Sequence, residues 1–309
     1  ARSVAEWLAL EDSKRFRRIE PTECLRKAWM VPHLKHLAKN VLAASAHFNA
    51  VSFWVQWELT FEPNLKERAK LFCRFTEIAG ECLKLNAFAA AFAIHAAFTS
   101  SPVHRLEATK KAMIKEGSKE VLALFEELPR QLSHEHNFRA PLLLLDKCAP
   151  PCVPFLGIFQ QQLVAVEEGS PDTLPPQQSG GLRLINFTKR RRLAEIIRRV
   201  QTYQIGEYSF EPNAEAEGYV ASRVRRWQAE IFDGALAGDA AHKAKLESIF
   251  DRASLKCEPR RHATAPLGTA AAPSNASNVA RRGSLDAVGG SAPDLLMPSS
   301  APRRRPSLG

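Results

Sequence analysis

Two stretches decide how this chain is read: C-V-P-F-L-G-I-F-Q-Q-Q-L-V-A-V-E-E-G, residues 152–169, and L-I-N-F-T-K-R-R-R-L-A-E-I-I-R-R-V-Q-T-Y-Q, residues 184–204. In the first, Phe155, Phe159, Leu163 and Val166 recur every three or four residues, which gathers them on one helix face. In the second, Leu193, Ile196, Ile197 and Val200 form a matching stripe. The charge of Lys189, Arg190, Arg191, Arg192, Arg198 and Arg199 falls largely on the other side, as a solvated face. Residues 171–181, rich in Pro, Gln, Ser and Gly, cannot continue a helix. Two amphipathic helices joined by a polar connection make an αα-hairpin, here spanning about residues 154–200.

Outward from the hairpin, 309 residues give room for one large domain or two small ones, and 45% apolar with 25% charged residues is an ordinary globular composition. A net charge of +10 points to an acidic partner or surface. No run approaches the roughly 18 apolar residues of a membrane span, and no signal peptide opens the chain. The first residue is Ala1 rather than Met, which reads as a fragment. Of six cysteines, Cys148 and Cys152 form a C-x3-C without the companion pair that a zinc site needs. Structural thiols in a reducing, cytoplasmic setting are expected.

Taken in order, residues 4–20 and 21–30 read as short helices, the second opened by Pro21. Leu34, Leu37, Val41 and Leu42 form an apolar stripe, and residues 49–61 a further helix ending before Pro63. A long helical period over 65–98 breaks near Asn86, read as the N-cap of an alanine-rich helix small enough to be buried on most faces. Residues 103–115 are helical, and Ser118 caps a helix closed by Pro129. Residues 142–145 stay open between buried strand and helix. Residues 216–232 and 242–254 are the last helical patterns, and no period-two segment with hairpin turns occurs. The fold class is all-α.

From about residue 260 the chain lacks aromatic residues and is dominated by Ala, Ser, Pro, Gly and Arg, the composition of a disordered basic tail. Within it Ser284 and Ser307 sit in R-R-x-S patterns, which makes them candidate phosphorylation sites for a basophilic kinase. Phosphate loops, dinucleotide fingerprints, zinc-protease and nucleophile-elbow motifs are absent. The pairs His33/His36 and His134/His136 lack a third ligand, so neither metal nor cofactor is expected. Glu167 and Glu168 are neighbours on a helix and point to different faces. The basic run at 189–192 has no interleaved aromatics, and nucleic acid is not an expected partner.

Spread motifs carry a resemblance. F-R-R-I-E-P-T-E at 16–23, F-N-A-V-S-F-W-V at 48–55, L-N-A-F at 85–88, S-S-P-V-H-R-L at 100–106, C-V-P-F-L-G at 152–157 and L-I-N-F-T-K at 184–189 occur in the order found in Ras-type guanine-nucleotide exchange factors. The chain resembles the catalytic domain of that family, nearest its Son-of-sevenless branch, from about Trp7 to Pro259. The resemblance implies a single helical domain, residues 1–259, with a protruding hairpin that wedges between the switch regions of a Ras-family small GTPase. It also implies that GDP is released without covalent chemistry and that any peripheral membrane association comes through the GTPase.

On the first arm the resemblance places Val164 and Glu168, one turn apart, as the pair that disturbs the magnesium and phosphate sites, both facing the partner rather than the core. Phe92, Phe138 and Phe155 would form a pocket for an aromatic side chain of the second switch, with Gln161, Ala46 and Thr99 near the GTPase surface. The chain departs from the family pattern at Ala87 for a second asparagine, Ala46 for an arginine, Thr99 for an asparagine, Val164 for a leucine, and in a longer linker at 170–183. These leave two readings open: an exchange factor of shifted specificity, or an inactive scaffold that keeps the fold and is regulated through its tail.

Overall fold

Asn64 opens a long amphipathic helix by accepting hydrogen bonds from the Lys66 and Glu67 amides, and the other helices can be placed around it. The computed structural model describes residues 1–174, 183–211, 213–236 and 240–259; for 230–243 only the helix positions are described. In chain order the helices are α1 (Arg2–Phe16), α2 (Lys39–Phe61), α3 (Leu65–Lys84), α4 (Phe88–Thr99), α5 (Ser101–His104), α6 (Glu107–Glu116), α7 (Lys119–Gln131), α8 (Glu135–Leu145), α9 (Leu156–Gly169), α10 (Phe187–Thr202), α11 (Ala214–Leu236) and α12 (Ala240–Cys257). Two 3₁₀ turns, Pro21–Cys24 and Pro32–Leu37, lie between α1 and α2. The tail with Ser284 and Ser307, and linker residues 175–182, lie outside the described residues.

The compact unit is Ala1–Glu258. Its middle is α4, whose alanines let α2 and α3 approach closely; Phe88, Phe92, Ile94, Ala97 and Phe98 are all buried. α2 packs in turn on α1, α11 and α12. It is one helix of 23 residues, longer than the 49–61 segment read from the pattern, because Ala50, Val51 and Val55 bury one face while Val41 and His47 extend it backwards. α3 and α7 meet at Gly80, where a Cβ would stand 2.3 Å from Leu124 Cδ2.

Other local readings are corrected in the same way. Asn86 does not cap α4; it sits at φ 56 in the left-handed region that asparagine tolerates, and Ala87 takes the cap position. The Asn86 carbonyl accepts from the Val153 amide (2.9 Å), and the Val153 carbonyl accepts from Ala89 (3.1 Å). This fastens the start of the hairpin to the core. Ser118 caps α7 as expected, but the helix runs past Pro129 to Gln131. Residues 142–145 finish α8, and the segment after Pro21 is a short 3₁₀ turn rather than a helix.

The hairpin consists of α9 and α10, joined through an antiparallel ribbon of two-residue strands, β1 (Thr173–Leu174) and β2 (Leu184–Ile185). Phe159, Leu163, Leu193, Ile197 and Val200 are buried in or beneath it, while Leu184, Ile185 and Phe187 stay exposed at its outer end. Asn186 caps α10 by accepting from the Lys189 amide and donates to the Pro171 carbonyl (2.9 Å), so one residue starts the second arm and closes the first. At the root, Tyr203 donates to the Leu145 carbonyl (3.2 Å) and Tyr208 to the Leu85 carbonyl (2.8 Å). Gln204 donates to the Phe16 and Ile19 carbonyls, and Arg199 pairs with Asp146.

Candidate functional site

The aromatic residues named from sequence come together. Phe92 of α4 stacks on Phe155 at 4.5 Å between ring centroids, and Phe138 of α8 lies edge-on to Phe92 at 6.3 Å and 6.1 Å from Phe155. Phe48 of α2 completes the group at 5.0 Å from Phe155, and His134 approaches Phe138 at 4.9 Å. The spacing of Phe155 and Gly157 has a physical use: a Cβ at Gly157 would fall 2.4 Å from the Phe155 ring, so only glycine leaves that ring its place. Phe138 belongs to a left-handed turn, with φ of 50, 58 and 60 at His136, Asn137 and Phe138. Behind the cluster, burial and the nearby His134 push the imidazole of His95 down to about 4.

The first arm of the hairpin carries the charged part of the site. Glu167 and Glu168 diverge as helical neighbours must. Glu167 turns to the second arm, where the Lys189 ammonium lies 2.8 Å from Glu167 Oε2 and 3.0 Å from Asp172, and donates to the Glu167 carbonyl. Lys189 is only 3% exposed, not part of a solvated face as its neighbours Arg190, Arg191 and Arg192 are. Desolvation pulls its pKa down, but the two carboxylates outweigh it and hold the ammonium form. Glu168 points outward, with its side chain 56% exposed, and meets Lys27 Nζ at 2.8 Å.

Val164 corrects the expectation that both members of the pair face a partner. It is 1% exposed, a turn before Glu168 on the same face. It belongs with Ile158, Phe159 and Leu163 to the buried side of α9, the helix that packs against α10. The turn after Pro21–Cys24 lies along this arm, its Arg26 amide donating to Glu167 Oε1 (3.1 Å) and its Lys27 reaching Glu168. Thr99 is exposed at the end of α4 with its hydroxyl donating back to the His95 and Ala96 carbonyls, while Ala46 and Gln161 are half-buried. The sequence reading missed Lys27, Lys189 and Asn186. Only Asn186 had a local signal, as an asparagine directly before a helical stripe. No group of three His, Cys, Asp or Glu side chains among the described residues is placed to hold a metal ion.

A family model described as the RasGEF domain matches residues 3–191. The chain belongs to the RasGEF domain family. Similar members are Ras guanine nucleotide exchange factor J of Dictyostelium discoideum, 34% identical over 210 residues, covering 68% of this chain and 24% of that protein. Ras guanine nucleotide exchange factor A of the same organism is 28% identical over 258 residues, covering 84% and 40%. Ras-specific guanine nucleotide-releasing factor 1 of Rattus norvegicus is 29% identical over 224 residues, covering 72% and 17%. The chain thus spans less than half the length of each. Within this RasGEF domain the matched region takes in the aromatic cluster, all of α9 and the capped start of α10.

Proposed function

We propose that this RasGEF domain binds a Ras-family small GTPase and accelerates release of its GDP, with the hairpin as the working element. The observation that carries the reading is the position of Phe155. It is both the N-cap of α9 and the ring around which Phe48, Phe92 and Phe138 gather. An aromatic side chain of the GTPase seated at the rim of that cluster would lie on the order of 20 Å along α9 from Glu168, at 1.5 Å per residue. One helix then registers two parts of the partner at once.

The chemistry asked of α9 is modest. Nucleotides held at nanomolar to picomolar Kd represent roughly 12–16 kcal/mol, and an exchange factor offsets this by binding the nucleotide-free protein more tightly. The Glu168 carboxylate adds like-charge repulsion toward a phosphate and can accept hydrogen bonds from the loop that held it. Val164, once uncovered, offers no oxygen to a magnesium ion. No bond to the protein is made or broken. The proposal extends to a cytoplasmic domain recruited to the plasma membrane through its GTPase, and to a kinase acting on Ser284 and Ser307.

The test is release of a fluorescent GDP analogue from a panel of Ras, Rap and Ral proteins. Acceleration of at least about tenfold with one member is expected, well above what a weak encounter produces. A folded domain that accelerates none of them would sink the reading. A second reading, an inactive scaffold, is favoured by the burial of Val164 and the small side chain of Ala46. It predicts capture of the GTPase without release.

A further inference from the structure

We propose that residues 25–30 form a strap that closes the working face of α9 in the free domain, with Lys27 as its latch, and that GTPase binding displaces it. The inference rests on the exchange reading for its consequence, but the strap itself stands on independent observations. Its two ends are fixed. Before it, Glu23 is buried and accepts from the Asn40 and Val41 amides at the start of α2 (2.7 and 3.0 Å). After it, the Pro32–Leu37 turn leads into the start of α2, where Ala38 and Val41 are buried. Between these anchors the strap touches α9 through the Arg26 amide on Glu167 and the Lys27 ammonium on Glu168. Val164, on the same face one turn earlier, is out of solvent.

The closed strap is held against its own preferences. Arg26 and Lys27 sit at φ 54 and 52, consecutive left-handed positions that residues with a Cβ adopt only at a cost. The Trp29 indole N–H is buried and meets no acceptor among the described residues. On the other side of the balance are burial of Ala28 and Trp29, the turn bonds from Ala28 to Leu25 and from Met30 to Lys27 (3.1 and 2.8 Å), and the latch. The latch is a half-exposed ion pair, Lys27 at 27% and Glu168 at 56%, and such pairs are weak. A strained segment with fixed ends and a weak latch is a two-state element that a partner can shift by competing for one carboxylate. The carboxylate in question is the one the exchange reading assigns to the GTPase. Lys27 and the incoming phosphate-binding loop would compete for Glu168.

Two substitutions act in opposite directions on this balance. Lys27→Glu puts like charge against Glu168 and should open the strap. Arg26→Gly keeps the amide that reaches Glu167 and removes the left-handed penalty, so it should close the strap more firmly. Hydrogen exchange of the amides at 26–31 in the free domain reads the strap directly, and GDP release reads its effect. Lys27→Glu should speed both, release by about three- to tenfold, the range open to a surface pair turned repulsive. Arg26→Gly should slow both. Unchanged amide exchange in both variants overturns the proposal, as does slower release in Lys27→Glu with its strap open, since Lys27 would then be positioning Glu168. An unaltered domain that releases nucleotide from no GTPase defeats the exchange reading instead; the amide exchange still decides whether the strap opens.

Discussion

Two ion pairs tie residues far apart in this chain, and they are built in opposite ways. Arg68 and Glu258 are 190 residues apart, and the arginine is 1% exposed. Arg68 donates to Thr109 Oγ1 (2.7 Å) and to the Glu62 carbonyl (2.7 Å). Glu258 accepts from the Ala108 and Thr109 amides and the Thr109 hydroxyl. Burial alone would raise the Glu258 pKa, but these bonds outweigh it and hold the carboxylate low. Lys27 and Glu168 are 141 residues apart, half-exposed, and share their neighbourhood with strained backbone and an unpartnered indole. The first pair locks the last helix to the core. The second holds a site in a state it can leave.

That contrast can be broken or sharpened by experiment. Arg68→Ala should empty a buried site and leave Glu258 without its counter-charge, costing about 3–5 kcal/mol of stability in urea denaturation; a loss below about 1 kcal/mol would mean the network is not closed. Val164→Asp should cost about 2–4 kcal/mol, because the carboxylate is forced into a covered position. If its Tm is unchanged, Val164 is not buried in solution.

Acid should act on the core through His95. His95 has a pKa of about 4, below its unfolded value, so its contribution is complete above about pH 6.5 and is lost as pH falls toward 4. The loss should be on the order of 2–3 kcal/mol, and His95→Gln should flatten the stability curve between those pH values. An unflattened curve places the acid-sensitive group elsewhere. Glu168→Gln should show the smallest effect on folding, within about 0.5 kcal/mol, while GDP release slows about tenfold. A variant that exchanges like the parent removes Glu168 from the mechanism.

The periodic features were legible because helix faces are written locally. The stripes of α9 and α10, the alanines of α4 and the cap at Ser118 each need only a few neighbouring residues to be read. The aromatic group of Phe92, Phe138 and Phe155 was reached through family resemblance, and the fold brings it together. Asn86 misled because a cap and a left-handed turn favour the same residue type, and only the path of the chain toward Val153 separates them. Lys189 misled because its neighbours in a basic run are solvated, whereas two carboxylates draw it inside.

The hairpin shows where the division falls. Its two arms, their apolar stripes and the polar connection between them follow from residues 152–204 alone, since side-chain periodicity is a property of the backbone helix. That Glu167 and Glu168 are already engaged follows from Arg26 and Lys27, which no pattern within the hairpin encodes. Pairing is set by whatever the folded chain brings alongside, and here that is a short turn that lies more than a hundred residues away along the chain.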